Sequence, residues 1–225
     1  MDIQPSTQSG AQVVVVVGAG PGVSGSLARR CAAEGWQVGL VGLDEHALAD
    51  LAATLVPARV ERRIADLTDP VAGAQAVAGL GERFGRIDLL HVNPSAYREA
   101  DPLHLGVEEL LEDVRLGVGS LLTAVQAAHP YLVRGARVTV TGSMAADQPS
   151  PVAASLGVQK AGVRNLVHSL DATLAPEGVR AVSVTVRGAL AREGTFSHDA
   201  VAAAILDASR QDEADWRSEV SYPSV

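Results

Sequence analysis

The chain has 225 residues, 47% of them hydrophobic, enough for one sizeable core. Its 26 acidic and 18 basic residues give a net charge of −8, which argues against a general nucleic-acid or anionic-membrane surface. A single cysteine, Cys31, excludes an internal disulfide. No apolar run approaches the length of a membrane span, and the polar, acidic N-terminus carries no secretion signal. The expectation is therefore a cytoplasmic protein of one domain over 1–225, with a short flexible stretch over 1–11. Aromatic residues make up only 3%, so aliphatics and alanine must build the core.

Five consecutive valines, Val13 to Val17, favour an extended backbone and read as a buried parallel strand. Gly18, Gly20 and Gly22 then allow a tight turn and close approach of backbone to a ligand. Leu27, Ala28, Cys31 and Ala32 follow at helical spacing, with Cys31 on the apolar side as a core residue. Strand, glycine turn and helix make a diphosphate-binding geometry, the pyrophosphate lying at the helix N-terminus. Residue 23 is Val23, so the spacing is not G-x-G-x-x-G. It fits G-x-x-x-G-x-G, with Ser24 where the last glycine belongs and Gly25 beside it as a partial substitute.

A second strand spans Val38 to Val41 and ends at Gly42, Leu43 and Asp44; Glu45 to Leu55 is helical. Arg59 to Ala65 reads as a charged third strand closed by Asp66 and Leu67, and Pro70 starts a helix to Phe84. The fourth strand, Ile87 to Val92, leads into Asn93, Pro94 and Ser95 at its carboxyl end, the side where ligands sit in open α/β sheets. One long helix is expected over Glu108 to Leu132, despite Gly117 and Gly119, and a fifth strand over Arg137 to Thr141. A second long helix spans Ala153 to Leu174, followed by a strand at Val179 to Val186 and a helix at Phe196 to Ser209. A last edge strand falls within Trp216 to Tyr222. The alternation predicts a doubly wound, Rossmann-type α/β fold with a parallel sheet covered by helices on both faces.

The order VVVVVGAGPGVSG, IADL, HVNPSA, VTGS and then Lys160 in QKAGV resembles the short-chain dehydrogenase/reductase superfamily, from about Val13 to Val220. The resemblance implies a bound nicotinamide cofactor and a dimer or tetramer. It assigns Gly18, Gly20, Gly22, Val23 and Ser24 to the cofactor turn, and Asp66 and Leu67 to the adenine side. Asn93 matches part of the family's N-N-A-G segment, and Gly188 the glycine of its proline-glycine turn, with Arg187 where proline is usual.

The same resemblance implies hydride transfer by a serine, a tyrosine, a lysine and an asparagine. Tyrosine lies four residues before lysine, so the two share a helix face one turn apart. Here the lysine is Lys160 and the residue four before it is Leu156, which cannot donate a proton. Ser143 carries over, thirteen residues before Leu156, and the asparagine position falls at Arg115. Tyr97, just past the fourth strand, is either a displaced acid or a loop tyrosine at the pocket wall. His91 reads as a core histidine. No histidine or cysteine motif suggests a metal.

Arg115, Lys160 and Arg187 map around the nicotinamide end, so a small-molecule substrate that is anionic is one reading; pairing of the arginines with acidic neighbours is the other. NAD and NADP stay open: Gly42 and Leu43 stand where an acid or a base would discriminate, and Asp44 one step farther could reach a ribose hydroxyl. Only about eight residues separate Gly188 from the next helix, too few for a long substrate lid. Three functions follow in order: a divergent NAD(P) reductase, a silent nicotinamide-binding protein or oligomer subunit, and a non-redox lyase, isomerase or cyclase reusing the cleft.

Overall fold

A computed structural model describes residues 10–224; most of the N-terminal stretch expected to be flexible lies outside the described residues. Seven parallel strands form one sheet in the order β3-β2-β1-β4-β5-β6-β7. They are β1 (Val13–Val17), β2 (Gln37–Gly42), β3 (Val60–Ile64), β4 (Ile87–Val92), β5 (Leu132–Ser143), β6 (Arg180–Val186) and β7 (Glu219–Tyr222). The helices are α1 (Val23–Ala33), α2 (Glu45–Ala53), α3 (Pro70–Phe84), α4 (Val107–Val114), α5 (Ser120–Ala128), α6 (Ala154–Leu174) and α7 (His198–Ser209).

The valine run explains the two-sided architecture. Side chains alternate along a strand, so Val13, Val15 and Val17 join one core with Val77 and Leu80 of α3, Leu121 and Val125 of α5, and Val163 and Val167 of α6. Val14 and Val16 join the other, with Leu27 of α1, Leu48 of α2, and Val201 and Ile205 of α7. All five valines are buried. Cys31 is in the second core, where burial pushes its thiol up to about 12. Strand order reverses between β1 and β4, which opens a crevice at their carboxyl ends.

The expected helix from Glu108 to Leu132 is not one regular helix. α4 passes through a π turn at Arg115–Gly119 into α5, a short 3-10 turn covers His129–Tyr131, and Leu132 already belongs to β5. The π turn forms where Gly117 faces α6: a side chain there would come within 2.7 Å of Gln159 Oε1. Ser120 Oγ donates to the Leu116 carbonyl in the same turn. β5 starts five residues earlier than expected because its pairing with β4 shifts register between Ile87 and Leu89.

Candidate active site

The glycine turn sits at the crevice. Gly18 adopts φ +77°, and a side chain there would meet Pro94 N at 2.8 Å, so the turn and the segment after β4 touch backbone to backbone. Gly18 N and Ala19 N both donate to Val41 O, at 2.9 and 2.8 Å, while Asn93 N donates to Val17 O at 2.9 Å. Ser24 Oγ ties the start of α1 back to Gly18 O at 3.0 Å. The tight approach falls one residue later, at Gly25, where any Cβ would overlap the carbonyl oxygen of Gly20. Gly20 itself faces open space, with no atom within 4 Å of a side-chain position. α1 begins after Gly22 with no side-chain cap and no acidic residue in its first turn, and Val23 and Ser24 are buried. The first-turn N–H groups carry the positive end of the helix dipole.

Around this turn the other expected residues take distinct places. Asp44 caps α2, accepting from Ala47 N at 3.0 Å. Asp66 accepts from Thr68 N and Oγ, both through Oδ1, and these bonds hold its carboxyl below the usual range. Leu67 packs on the core beside α3. Gly188 follows β6, with the Phe196 ring filling the space a side chain would need.

The second half of the site is built by β5 and α6. Ser143 ends β5 and its Oγ accepts from Ala145 N at 3.2 Å. Lys160 is the only lysine in the chain. It is buried, and its Nζ donates to Thr141 O at 2.9 Å, two residues before Ser143. Burial pushes its amine down to about 8. Leu156, one turn earlier on α6, is half-buried. His91 is fully buried on β4, with Nδ1 3.0 Å from Thr139 Oγ1. Burial, with a smaller repulsion from Lys160, pushes its imidazole down to about 3, so the ring is neutral.

The two expected arginines part company. Arg187 is committed to Asp147, with Nη1 at 2.9 and 2.7 Å from its two oxygens, and Nε donates to Ser221 Oγ at 3.2 Å. That pairing holds the Asp147 carboxyl below the usual range and removes Arg187 as a free anion receptor. Arg115 lies on the π turn, exposed, with no side-chain partner among the described residues. Tyr97 is 69% exposed on the segment after β4 and makes no side-chain hydrogen bond there.

Two residues escaped the sequence reading. Gln159, beside Lys160, is fully buried; its Nε2 donates to Ala96 O at 2.9 Å, and its Oε1 accepts from Ser95 Oγ and Ala96 N at 3.2 Å each. Arg98 grips α4, with Nε and Nη2 on Asp113 at 3.1 Å each and Nη1 on Glu109 at 3.0 Å. Burial opposes the charge on Asp113, yet Arg98 keeps its carboxyl below the usual range. The only signal in the sequence for either was a polar or charged residue at an apolar-looking boundary.

A family profile described as short chain dehydrogenase matches residues 12–191, four-fifths of the chain. This chain is a member of the short-chain dehydrogenase family. Among relatives, it is 32% identical over 193 residues to 1,6-dihydroxycyclohexa-2,4-diene-1-carboxylate dehydrogenase of Pseudomonas putida, covering 84% of this chain and 71% of that one. Its fold is shared with an alcohol dehydrogenase of Thermococcus sibiricus solved with 5-hydroxy-NADP: TM-score 0.83, 19% identity, 96% and 97% coverage. It is shared too with a short-chain oxidoreductase of Pseudomonas aeruginosa described as containing an atypical catalytic center: TM-score 0.73, 24% identity, 78% and 69% coverage. In this family member, no helix among the described residues is long and apolar enough to cross a membrane.

Proposed function

We propose that this chain is a short-chain oxidoreductase that binds NAD or NADP and acts on a small molecule through an atypical centre. The observation that carries the reading is the open glycine turn. Gly20 faces free space, α1 starts uncapped, and both lie at the carboxyl end of β1, the same edge of the parallel sheet at which β5 ends in Ser143. Backbone N–H groups at that helix start would hold the diphosphate, Asp66 and Leu67 would flank the adenine side, and Asn93 and Gly188 would border the nicotinamide half. The cofactor supplies or accepts the hydride. The alcohol dehydrogenase of Thermococcus sibiricus, solved with 5-hydroxy-NADP on the same fold, supports a nicotinamide ligand. NAD and NADP are not distinguished by Gly42, Leu43 or the capping role of Asp44.

In this reading Ser143 orients the substrate oxygen, and Lys160 binds the ribose and holds the remaining proton on this face of α6. With a pKa near 8, Lys160 is mostly charged at neutral pH. Leu156 holds no proton. A positioned general acid is worth roughly 10²–10⁴ in rate, so slow turnover on generic ketones is the expectation for the wild type. Leu156→Tyr raises NAD(P)H consumption by roughly 10²-fold if Ser143, Lys160 and cofactor are in register. Tyr97→Phe leaves the wild-type rate unchanged if Tyr97 is a pocket-wall residue, and lowers it if Tyr97 is the displaced acid. Rapid wild-type reduction that survives Tyr97→Phe would overturn the lost-acid reading. Arg115, at the position the family fills with asparagine, would suit an anionic substrate, and the Pseudomonas putida relative is named for a carboxylate.

The second reading, a silent nicotinamide-binding subunit, rests on Leu156 alone. It predicts cofactor binding without turnover on any ketone, in the wild type and in Leu156→Tyr alike.

A further inference from the structure

The segment after Gly188 is too short to lie across the cleft, and it folds back instead. The Phe196 ring packs where Gly188 lacks a side chain, Ala191 bridges to Ser197, and Tyr222 Oη donates to Thr195 O at 2.9 Å. α7 begins at once, capped by Ser197 Oγ, which accepts from Ala200 N at 3.2 Å. Its first residue, His198, is thereby set beside the glycine turn. His198 Nε2 and Cε1 lie 3.8 and 3.9 Å from the point where a side chain on Gly22 would begin. The ring is half-buried and has no hydrogen-bond partner among the described residues. The neighbouring Asp199 is turned to Ser26, whose hydroxyl holds its carboxyl below the usual range, with smaller contributions from the charges of Arg29, Arg30 and His198. Its charge is therefore matched within the protein.

An imidazole that makes no hydrogen bond among the described residues thus faces an uncapped helix start, next to the open space over Gly20. We propose that His198 is a binding residue for the cofactor diphosphate, donating a ring N–H from the side opposite the α1 backbone. This rests on the dinucleotide reading above and adds to it a contact made by α7, where a longer lid would otherwise lie. Backbone N–H groups of α1 would take one side of the diphosphate. The imidazole takes the other, so the short connection after β6 still covers the anion.

The test is titration calorimetry of wild type, His198→Leu and His198→Asn with NADH, NADPH and inorganic pyrophosphate, with thermal unfolding of each variant alongside. A hydrogen bond to a charged group carries roughly tenfold or more in affinity. The expected result is wild-type binding of at least one dinucleotide, a loss of roughly tenfold in His198→Leu, and partial recovery in His198→Asn, whose amide still donates. Equal or tighter binding by a folded His198→Leu overturns the assignment and leaves the dinucleotide reading standing. No binding of any of the three probes by wild type at millimolar concentration overturns both. The wild type alone gives an independent readout: the His198 ring carbon–proton signals must move when the tighter dinucleotide is added, and unmoved signals overturn the assignment whatever the variants do.

Discussion

Lys160 carries an ammonium into a place with one carbonyl for company. Its folded pKa near 8 lies below the usual 10.5. Below pH 8 the amine is charged in folded and unfolded chains alike, and the burial cost is fully present. Between about 8 and 10.5 only the unfolded chain holds the proton, so this group makes stability rise with pH, by about 3 kcal/mol in all. Lys160→Met removes that rise: urea unfolding should show the variant gaining on the wild type below pH 8 and losing the advantage by pH 10.5. The glycine turn yields a contrasting pair. Gly25→Ala forces a methyl into the Gly20 carbonyl and should cost about 1–3 kcal/mol of stability. Gly20→Ala meets nothing in the protein, so melting should change little while NAD(P)H affinity falls. The motif offered Gly22, Ser24 and Gly25 but could not tell which one the backbone needs; the close approach to Gly20 decides for Gly25.

At the scale of elements, β1, β2, β4 and β6 were legible as short, largely apolar runs, and the charged β3 through the Asp66 and Leu67 that close it. What stayed hidden was the path from Glu108 to Leu132. A π turn shows in the sequence only as a one-residue slip in the phase of the apolar pattern, and α4 and α5 are too short, at eight and nine residues, for that slip to stand out. The contact that favours it, Gln159 against Gly117, joins segments forty residues apart. Gln159 also fastens the segment after β4 to α6, and that segment in turn abuts Gly18. The lysine helix and the glycine turn are thereby both held against one loop. Gln159→Leu takes away the partner of the half-buried Ala96 N–H and carbonyl, at a cost of roughly 1–3 kcal/mol. Hydrogen exchange should report it as faster opening over 93–100, ahead of any change in β1. If 93–100 exchanges as in the wild type, the clasp is not what holds the loop. The site was read in part for a related reason: Ser143, Leu156 and Lys160 sit at fixed spacings, whereas the fate of Arg187 depended on Asp147, forty residues away.

For the molecule as a whole, the outer faces of α4 and α6 leave apolar side chains in water, Val107 at 70%, Leu111 at 49% and Val158 at 50% exposed. We propose that these helices meet a second copy, the dimer or tetramer that the family resemblance implies. Light scattering at micromolar concentration should give a dimer or larger, and Leu111→Glu with Val158→Glu should give a monomer; a wild-type monomer throughout that range removes the interface. Where the chain puts its amines matters at this scale too. Seventeen of its 18 basic side chains are arginines, and the remaining one, Lys160, is shut inside. An acylating reagent therefore finds no side-chain amine on the native surface. Modification at residue 160, read by peptide mapping apart from the terminal amine, can proceed only through molecules that have opened around α6. Its rate, compared with that of a free lysine, reports the population of the open form from a residue the chain already has, and a tightly bound cofactor should slow it in proportion to its occupancy.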